Sequence, residues 1–323
     1  MQALCFREFG GPGVLHMEDL PDPVPERGHA LVRMKAIGLN FADIYRRKGN
    51  YHLAGSPPWI AGYEGAGVIE AMNGDAPSGT KIGNRVAFAD APFANSELVA
   101  VPFEKIIPLP DDISFETATG LLLQGLTAQY LARDSHRIET GEDVLIHAAA
   151  GGVGLLLIQI AKRAGARVLG LVSSEPKRQA ALEAGADEVV LYSDVWVQAA
   201  QHFSVSGTGM DVVYDSVGST LGQSLDALRR GGHAVFFGMA GGDPQPVDPR
   251  YFMDASKTLT GGDLWNVLTT HEERTRRANG LFEWVRSGAL KLRIAASFPL
   301  SEGSAAHAFL ESRSAIGKVL LIP

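Results

Sequence analysis

The sequence contains a glycine-rich turn of the kind that binds nucleotide phosphates. Residues 149–154 read Ala-Ala-Gly-Gly-Val-Gly, which is the spacing G-x-G-x-x-G with alanine in the first place. An apolar run at 144–147 precedes the turn and another at 155–164 follows it, which predicts a strand, a turn and a helix. Glycines let backbone N–H groups approach a pyrophosphate at the positive end of a helix, so this order predicts a dinucleotide site contacted by Gly151, Gly152 and Val153.

The end of the next predicted strand, residues 167–172, indicates which dinucleotide is preferred. A site for NAD usually has an acidic residue there to accept a hydrogen bond from the adenosine 2′-hydroxyl. This chain has Ser173 and Ser174 instead, followed by Lys177. Hydroxyl and ammonium groups donate to a 2′-phosphate and oppose its charge, which favours NADPH. The alternative interpretation is that Lys177 is a solvated lysine at the start of a helix.

A second group of chemically capable residues lies near the N-terminus, between two predicted strands. Residues 38–51 combine the polar side chains of Asn40 and Asp43 with the aromatic rings of Tyr45 and Tyr51. Flat apolar walls with a few hydrogen-bonding groups are typical of a cleft for a small molecule.

The pattern of elements that must position these residues predicts an α/β protein with two domains. Residues 1–120 have short apolar runs separated by Gly- and Pro-rich turns, which indicates a mostly β, barrel-like domain. Residues 121–260 alternate helices with apolar strands, which predicts a doubly wound parallel sheet. We expect residues 261–323 to return to the first domain, with the cleft between the two domains. Ligands lie at the carboxyl ends of parallel strands, where Val217, Phe237 and Gly238 are placed.

Individual elements follow from the apolar periodicity. Strands are predicted at 3–9, 29–38, 65–71, 84–89, 144–147, 167–172, 188–192, 210–215, 233–238 and 318–322. Helices are predicted at 118–132, 155–164, 175–184, 219–230, 272–286 and 301–312.

Composition excludes several classes of function. The 323 residues are 46% hydrophobic and 20% charged, with a formal net charge of −7, which argues against nucleic-acid or anionic-membrane partners. Cys5 is the only cysteine, so neither an intramolecular disulfide nor a multi-cysteine zinc site is possible. With no apolar leader or long apolar window, we expect a cytoplasmic protein.

Four separated motifs resemble one known family. They are Gly-Leu-Asn-Phe-Ala-Asp at 38–43, the glycine turn, Tyr-Asp-Ser-Val-Gly at 214–218 and the C-terminal segment 311–323. This combination resembles the zinc-independent quinone oxidoreductases of the medium-chain dehydrogenase/reductase superfamily, the group that includes zeta-crystallin. The resemblance implies a GroES-like catalytic domain, a Rossmann domain, NADPH as hydride donor and a quinone or related electrophile as acceptor. It also implies a homodimer that forms through the sheet edge near residues 257–262.

The same resemblance assigns roles to individual residues. It implies a 2′-phosphate site made of Ser173 or Ser174, Lys177 and Tyr192, and an arginine, Arg313, that reaches the cofactor. The residues implied to surround the nicotinamide and the acceptor are Asn40, Asp43, Tyr45, Tyr51 and Thr127. Of these, Asn40, Tyr45 and Thr127 are expected to contact the cofactor as well. Gln124 departs from the lysine that close relatives often have, which leaves the acceptor open.

Zinc-using relatives have a cysteine and a His-Glu pair where this chain has Asn40 and Gly62-Tyr63-Glu64, so we expect no metal. An alternative activity on the same fold is NADPH-dependent reduction of activated alkenes, such as alkenals or enoyl thioesters. The basic run at 46–48, Arg-Arg-Lys, is the one candidate groove for the phosphates of a thioester, and a solvated face is the favoured interpretation of it. A crystallin-like or RNA-binding role is an alternative of another class, against which the acidic balance argues.

Overall fold

A computed structural model describes residues 1–323 and divides them into two compact units. One unit consists of residues 1–123 and 268–323, and the other of residues 124–267. The sequence predicted these boundaries after residues 120 and 260, and the structure divides the chain after residues 123 and 267.

The first segment consists mainly of short antiparallel strands. Its strands are β1 (Gln2–Phe6), β2 (His16–Asp19), β3 (His29–Leu39), β4 (Trp59–Ile60), β5 (Glu64–Asn73), β6 (Arg85–Ala89), β7 (Leu98–Pro102) and β8 (Ile106–Pro108), and its helices are α1 (Phe41–Arg47) and α2 (Phe115–Tyr130). The sequence predicted β1, β3, β5, β6 and α2 but missed the other five elements. These are short and lie among prolines and glycines, so they have too few residues to show a period.

The second unit is built around a parallel sheet. Its elements are β9 (Asp143–Ile146), α3 (Gly152–Arg163), β10 (Arg167–Val172), α4 (Glu175–Glu183), β11 (Glu188–Leu191), α5 (Trp196–Phe203), β12 (Met210–Asp215), α6 (Leu221–Ala227), β13 (Leu228–Phe236), α7 (Pro249–Ala255) and β14 (Thr258–Gly261). The strand order is β11-β10-β9-β12-β13-β14, and all pairs are parallel. The predicted doubly wound sheet is confirmed, and its order reverses between β9 and β12, where such sheets bind ligands.

One predicted boundary in this sheet is wrong. The sequence extended a helix to residue 230 and began the next strand at 233, but α6 ends at Ala227 and β13 begins at Leu228. Leu228 pairs with Met210, and the register shifts before His233 pairs with Val212. Gly231 therefore lies in a strand irregularity, with a φ of 72°, where the sequence suggested the end of a helix.

The returning segment completes the sheet of the first unit. It contains α8 (His271–Arg286), β15 (Ile294–Pro299), α9 (Gly303–Glu311) and β16 (Lys318–Ile322). Strand β16 pairs antiparallel with β3 and parallel with β15, which gives the order β15-β16-β3-β5-β6-β8, with β7 also paired to β3. Apolar side chains of this sheet and of α9 form the core of the unit. None of the helices is both long and apolar enough to cross a bilayer.

Helix α9 buries a histidine that has no hydrogen-bond partner. His307 is 0% exposed, and neither ring nitrogen is hydrogen bonded. Burial, followed by the nearby charge of Arg47, lowers its pKa to about 3, although Glu311 acts in the opposite direction. The imidazole is therefore neutral in the folded protein at every pH near neutrality.

This histidine should make the protein less stable in mild acid. The unfolded chain takes up a proton below about pH 6.5 and the folded chain does not, so stability is lost as the pH falls from there toward 3. Between pH 7 and pH 5 the contribution should be about 2 kcal/mol in the free energy of unfolding. His307→Leu should reduce the loss of stability between the two pH values by that amount, which urea denaturation of both proteins at pH 7 and pH 5 measures. An unchanged difference would contradict the assignment.

Candidate active site

The glycine turn lies between β9 and α3, as predicted. Ala148 has a left-handed φ of 47°, and the N–H of Gly151 donates to its carbonyl oxygen over 2.8 Å. A Cβ atom on Gly154 would lie 2.5 Å from that same oxygen, so no other residue fits there. Gly151 is the N-cap of α3 and has no side chain to cap it. The first N–H groups of α3 are therefore suited to hold an anion, as NADPH requires.

The residues predicted to recognise the 2′-phosphate follow β10. The ammonium group of Lys177 donates to the hydroxyl oxygen of Ser173 over 3.0 Å. Ser174 is the N-cap residue of α4, but its side chain makes no capping hydrogen bond. The carboxyl end of β10 thus presents a lysine and two serines, and its last residue is Val172. These groups can donate hydrogen bonds to a phosphate on the ribose. Strand β10 ends without the acidic residue that would accept a hydrogen bond from a 2′-hydroxyl.

Tyr192 contacts the glycine turn. Its hydroxyl oxygen accepts the N–H of Ala148 over 2.9 Å and is 3.1 Å from Nδ1 of His147. The sequence assigned His147 to the end of a strand and gave it no function. His147 was missed because its hydrogen-bond partners are far away in the sequence, and no local pattern indicates such contacts.

The loops after β12 and β13 are joined to each other at the same edge of the sheet. Asp215 accepts the N–H groups of Val217 and Gly218 over 2.8 and 3.0 Å. The N–H of Phe237 donates to the carbonyl oxygen of Asp215 over 2.9 Å. A Cβ atom on Gly238 would lie 3.0 Å from the carbonyl oxygen of Ser216. Val217, Phe237 and Gly238 are therefore brought together beside the predicted cofactor position of this unit.

In the other unit, Asn40 and Asp43 are buried at the start of α1. Oδ2 of Asp43 accepts the N–H of Asn40 over 2.9 Å, and its Oδ1 accepts from Arg46 over 3.1 Å. Burial raises the pKa of Asp43, while Arg46 and the Asn40 amide oppose that rise. These two predicted site residues thus have structural hydrogen bonds that fix the helix start.

The two predicted tyrosines are less buried and lie together. Their ring centroids, for Tyr45 and Tyr51, are 6.4 Å apart in an edge-on arrangement. The Arg46 guanidinium lies 3.6 Å from the ring centre of Tyr63 and 5.1 Å from that of Tyr51. This cluster provides an aromatic wall with a cation behind it.

Two further predicted residues lie elsewhere. Thr127 is on α2, where it is half-buried and shares a helix face with Gln124. Arg313 follows α9 in a left-handed conformation with a φ of 60°, and its side chain is exposed.

The interpretation of Arg46 and Arg47 as a solvated face is wrong. Their side chains are 2% and 0% exposed. Arg46 pairs with Asp43, and Arg47 pairs with Glu311, which also binds Lys48. Buried Asp43, half-buried Glu311 and the packing of α1 on α9 account for this. Both arginines are therefore paired within the protein and do not form a groove for phosphates.

A buried cluster underlies Asn40. Nζ of Lys318 donates to Oδ1 of Asn40 over 2.8 Å and to Oε2 of Glu64 over 2.5 Å. Nδ2 of Asn40 donates to the same Glu64 oxygen over 2.9 Å, and the other oxygen of Glu64 accepts the N–H of Leu123 over 2.7 Å. Lys318 and Glu64 are both 0% exposed. The ion pair therefore joins β5 to β16, and its hydrogen bonds attach the start of α1 and α2 to the same cluster.

Two family models match the chain. "Alcohol dehydrogenase GroES-like domain" matches residues 26–143, and "Zinc-binding dehydrogenase" matches residues 152–277. With the parallel sheet and the glycine turn, these matches define a dehydrogenase or reductase of the medium-chain class.

Comparison with individual proteins identifies the family within this class. The quinone oxidoreductase of Pseudomonas aeruginosa is 39% identical, with 98% of each chain covered, and the 2-haloacrylate reductase of a Burkholderia species is 36% identical over 100% of this chain and 99% of its own. The crystal structure of Escherichia coli quinone oxidoreductase complexed with NADPH matches with a TM-score of 0.96, at 38% identity and with both chains fully covered. The chain belongs to the quinone oxidoreductase family of the medium-chain dehydrogenase/reductase superfamily.

The residues present do not fit the zinc ion that the second family description suggests. Glu64 is bonded to Lys318, Asn40 and a backbone N–H, and Tyr63, whose hydroxyl accepts from the N–H of Ala54, precedes it. Cys5 lies in β1, where burial raises the pKa of its thiol to about 11. No three His, Cys, Asp or Glu side chains are grouped so as to hold a metal ion. An ammonium group thus balances the charge of the carboxylate at this place.

The ion pair between Lys318 and Glu64 should be strongly coupled. Lys318→Met leaves a buried carboxylate without its cation, so the free energy of unfolding should fall by roughly 3 to 5 kcal/mol. Adding Glu64→Gln should restore part of this loss, because both charges are then absent. Urea denaturation of the two single variants and the double variant measures the coupling. Arg7→Met, which breaks an exposed pair with Glu18, is the control and should cost less than about 1 kcal/mol. Additive losses at Lys318 and Glu64 would contradict the coupling.

Proposed function

We propose that this chain is an NADPH-dependent oxidoreductase that reduces a quinone without a metal or a flavin. The observation that carries the proposal is the contact between Lys177 and Ser173 beside the uncapped start of α4. A cation and hydroxyl groups at the carboxyl end of β10 would suit the adenosine 2′-phosphate of a dinucleotide bound at the glycine turn. The similarity to quinone oxidoreductases, one of them solved with NADPH, supports the same function.

The proposed cofactor site follows the carboxyl edge of the parallel sheet. N–H groups at Gly151, Gly152 and Val153 would bind the pyrophosphate, because α3 begins there with its positive end. Ser173, Ser174, Lys177 and Tyr192 would surround the adenosine ribose and its phosphate. Val217, Phe237 and Gly238 would lie along the nicotinamide half, and Arg313 is proposed as a further contact.

The residues proposed to act on the acceptor are Asn40, Asp43, Tyr45 and Tyr51 of one unit and Thr127 of the other. When bound, NADPH supplies the hydride, and the proton that completes a quinol can come from water. The rings of Tyr45 and Tyr51 would stack against a planar acceptor, and their hydroxyl groups would donate to the oxygen that gains charge. Asn40 and Asp43 would keep α1, which carries Tyr45, in place through their buried hydrogen bonds.

A second candidate is reduction of alkenes that carry an electron-withdrawing group. The similarity to a 2-haloacrylate reductase over the full chain favours it. Both reactions need the same dinucleotide and differ in the acceptor alone, so the two candidates share the proposed cofactor site.

We also propose a homodimer. Strand β14 is the last strand of the parallel sheet, and Leu259 in it is 38% exposed. An edge strand with exposed apolar side chains is suited to pair with a second copy of itself. The proposal includes a cytoplasmic location, and a single free cysteine, Cys5, which can form no intramolecular disulfide, fits a reducing compartment.

Lys177→Ala should weaken NADPH binding selectively. Loss of a charge-assisted contact to the 2′-phosphate should lower the affinity for NADPH roughly ten- to a hundredfold. The affinity for NADH should not change, because NADH has no 2′-phosphate. Titration of both cofactors by nicotinamide fluorescence measures this. Lys162→Ala is the matched control, because Lys162 pairs with Asp187 near the opposite end of α3 and should change neither affinity. Equal affinities for NADPH and NADH in the unmutated protein would count against the proposed site.

Tyr51→Phe and Tyr45→Phe separate the hydroxyl groups from the aromatic wall. If one of these hydroxyls stabilises charge on the acceptor oxygen, its removal should lower turnover roughly ten- to a thousandfold. The affinity for NADPH should stay nearly unchanged for Tyr51→Phe. Steady-state rates with a simple quinone and cofactor titration measure the two effects. Full turnover in both single variants and in the double variant would refute a role for either phenol.

A further inference from the structure

A continuous chain of hydrogen bonds crosses the carboxyl edge of the parallel sheet. Oη of Tyr192 is 3.1 Å from Nδ1 of His147, and Nε2 of His147 is 3.0 Å from Oγ of Ser224. Oγ of Ser224 is in turn 2.6 Å from Oδ2 of Asp215. The four residues come from the ends of β9, β11 and β12 and from α6, so the chain joins separate elements of the sheet.

The hydrogens of this chain can be placed from the chemistry of its members. Asp215 accepts from two backbone N–H groups and from Thr220, so it is ionised, and the Ser224 hydroxyl must donate to it. Burial would raise the pKa of Asp215, but the hydrogen bonds that it accepts from Ser224, the Gly218 N–H and Thr220 hold that pKa below its ordinary value. Ser224 then accepts from Nε2–H of His147, which leaves Nδ1 to accept from Tyr192.

The histidine at the centre is neutral and enclosed. His147 is 1% exposed, and Ser224 and Asp215 are 0% exposed. Burial lowers the pKa of His147, against the attraction of Asp215, and the ring of Trp196 lies edge-on at 5.2 Å. A neutral imidazole that donates at one nitrogen and accepts at the other is fully hydrogen bonded here, so it can act as a rigid link.

Each end of the chain of hydrogen bonds holds a segment of the proposed cofactor site. At one end, Tyr192 accepts the N–H of Ala148, whose left-handed φ of 47° is unfavourable for a residue with a Cβ atom. At the other end, Asp215 holds the N–H groups of Val217 and Gly218. His147 connects the two ends of this row of hydrogen bonds, through Tyr192 on one side and Ser224 on the other.

We propose that His147 is a positioning residue for the dinucleotide, because it joins the glycine turn after β9 to the loop after β12 through Tyr192 and Ser224. The inference rests on the proposed function, since it concerns the same cofactor site. The turn and the loop would contact the pyrophosphate and the nicotinamide half, which NADH and NADPH have in common. Loss of the link should therefore weaken both cofactors by the same factor and leave the preference between them unchanged.

His147→Phe tests the link, since phenylalanine keeps a flat ring and removes both hydrogen bonds. The affinities for NADPH and NADH should both fall, each by roughly tenfold, while their ratio stays that of the unmutated protein. Ser224→Ala removes a single hydroxyl and serves the same purpose should the phenylalanine variant not fold. Lys177→Ala is the contrasting control, because it should change the ratio. An unmutated protein that binds both cofactors equally would refute the proposed NADPH preference alone, while equal losses in His147→Phe would still support the link.

A cycle of variants separates positioning from a general loss of stability. His147→Phe and Ser224→Ala should lower cofactor affinity non-additively, because both variants break the same chain. In a His147→Phe background, Ser224→Ala should have little further effect. Unchanged affinities together with a lower melting temperature would overturn the proposal, as would a loss confined to NADPH in His147→Phe.

Discussion

The close approach of α3 to the end of β9 is the constraint on which the nucleotide-binding unit depends. A side chain at Gly154 would collide with the carbonyl oxygen of Ala148, so the helix can start where it does only with glycine there. That position leaves the first N–H groups of α3 without a side-chain cap and directs the positive end of the helix toward the carboxyl edge of the sheet. The strained Ala148 turn, the Tyr192 contact and the Asp215 loop all surround this one helix start.

In the other unit, the charge of the buried carboxylate of Glu64 is balanced by an ammonium group. One oxygen of Glu64 accepts from both Lys318 and Asn40, and the other accepts a backbone N–H of α2, so the cluster joins β5, β16, α2 and the start of α1. A buried carboxylate is costly unless it is paired and hydrogen bonded, and here it is both. The Asn40–Asp43 start of α1 is attached to this cluster. The proposed stabilisation of charge on an acceptor would therefore come from the polar and aromatic groups of α1 and of the segment that follows it.

The parts of the fold set by local pattern could be predicted from the sequence. Strands such as β10 and β12 have apolar centres, and their predicted bounds match the structure. The glycine turn is equally local. Helix α1 has only seven residues, too few for a periodic signal, and it was missed. Contacts between distant residues could not be predicted at all. Arg47 looked solvated because Glu311 is 264 residues away in sequence, and His147 looked like a strand residue because Ser224 is 77 residues away.

The two candidate reactions share the proposed cofactor site and differ in the acceptor that is reduced. Acceptor-dependent oxidation of NADPH, followed by the loss of its absorbance, gives kcat/KM for quinones, alkenals, enoyl thioesters and 2-haloacrylates in one assay. We expect quinones to be reduced with a kcat/KM at least about tenfold above that of any alkene, because a planar acceptor would stack on Tyr45 and Tyr51 and gain charge on oxygen. Alkenes reduced as fast as quinones, or faster, would contradict this expectation.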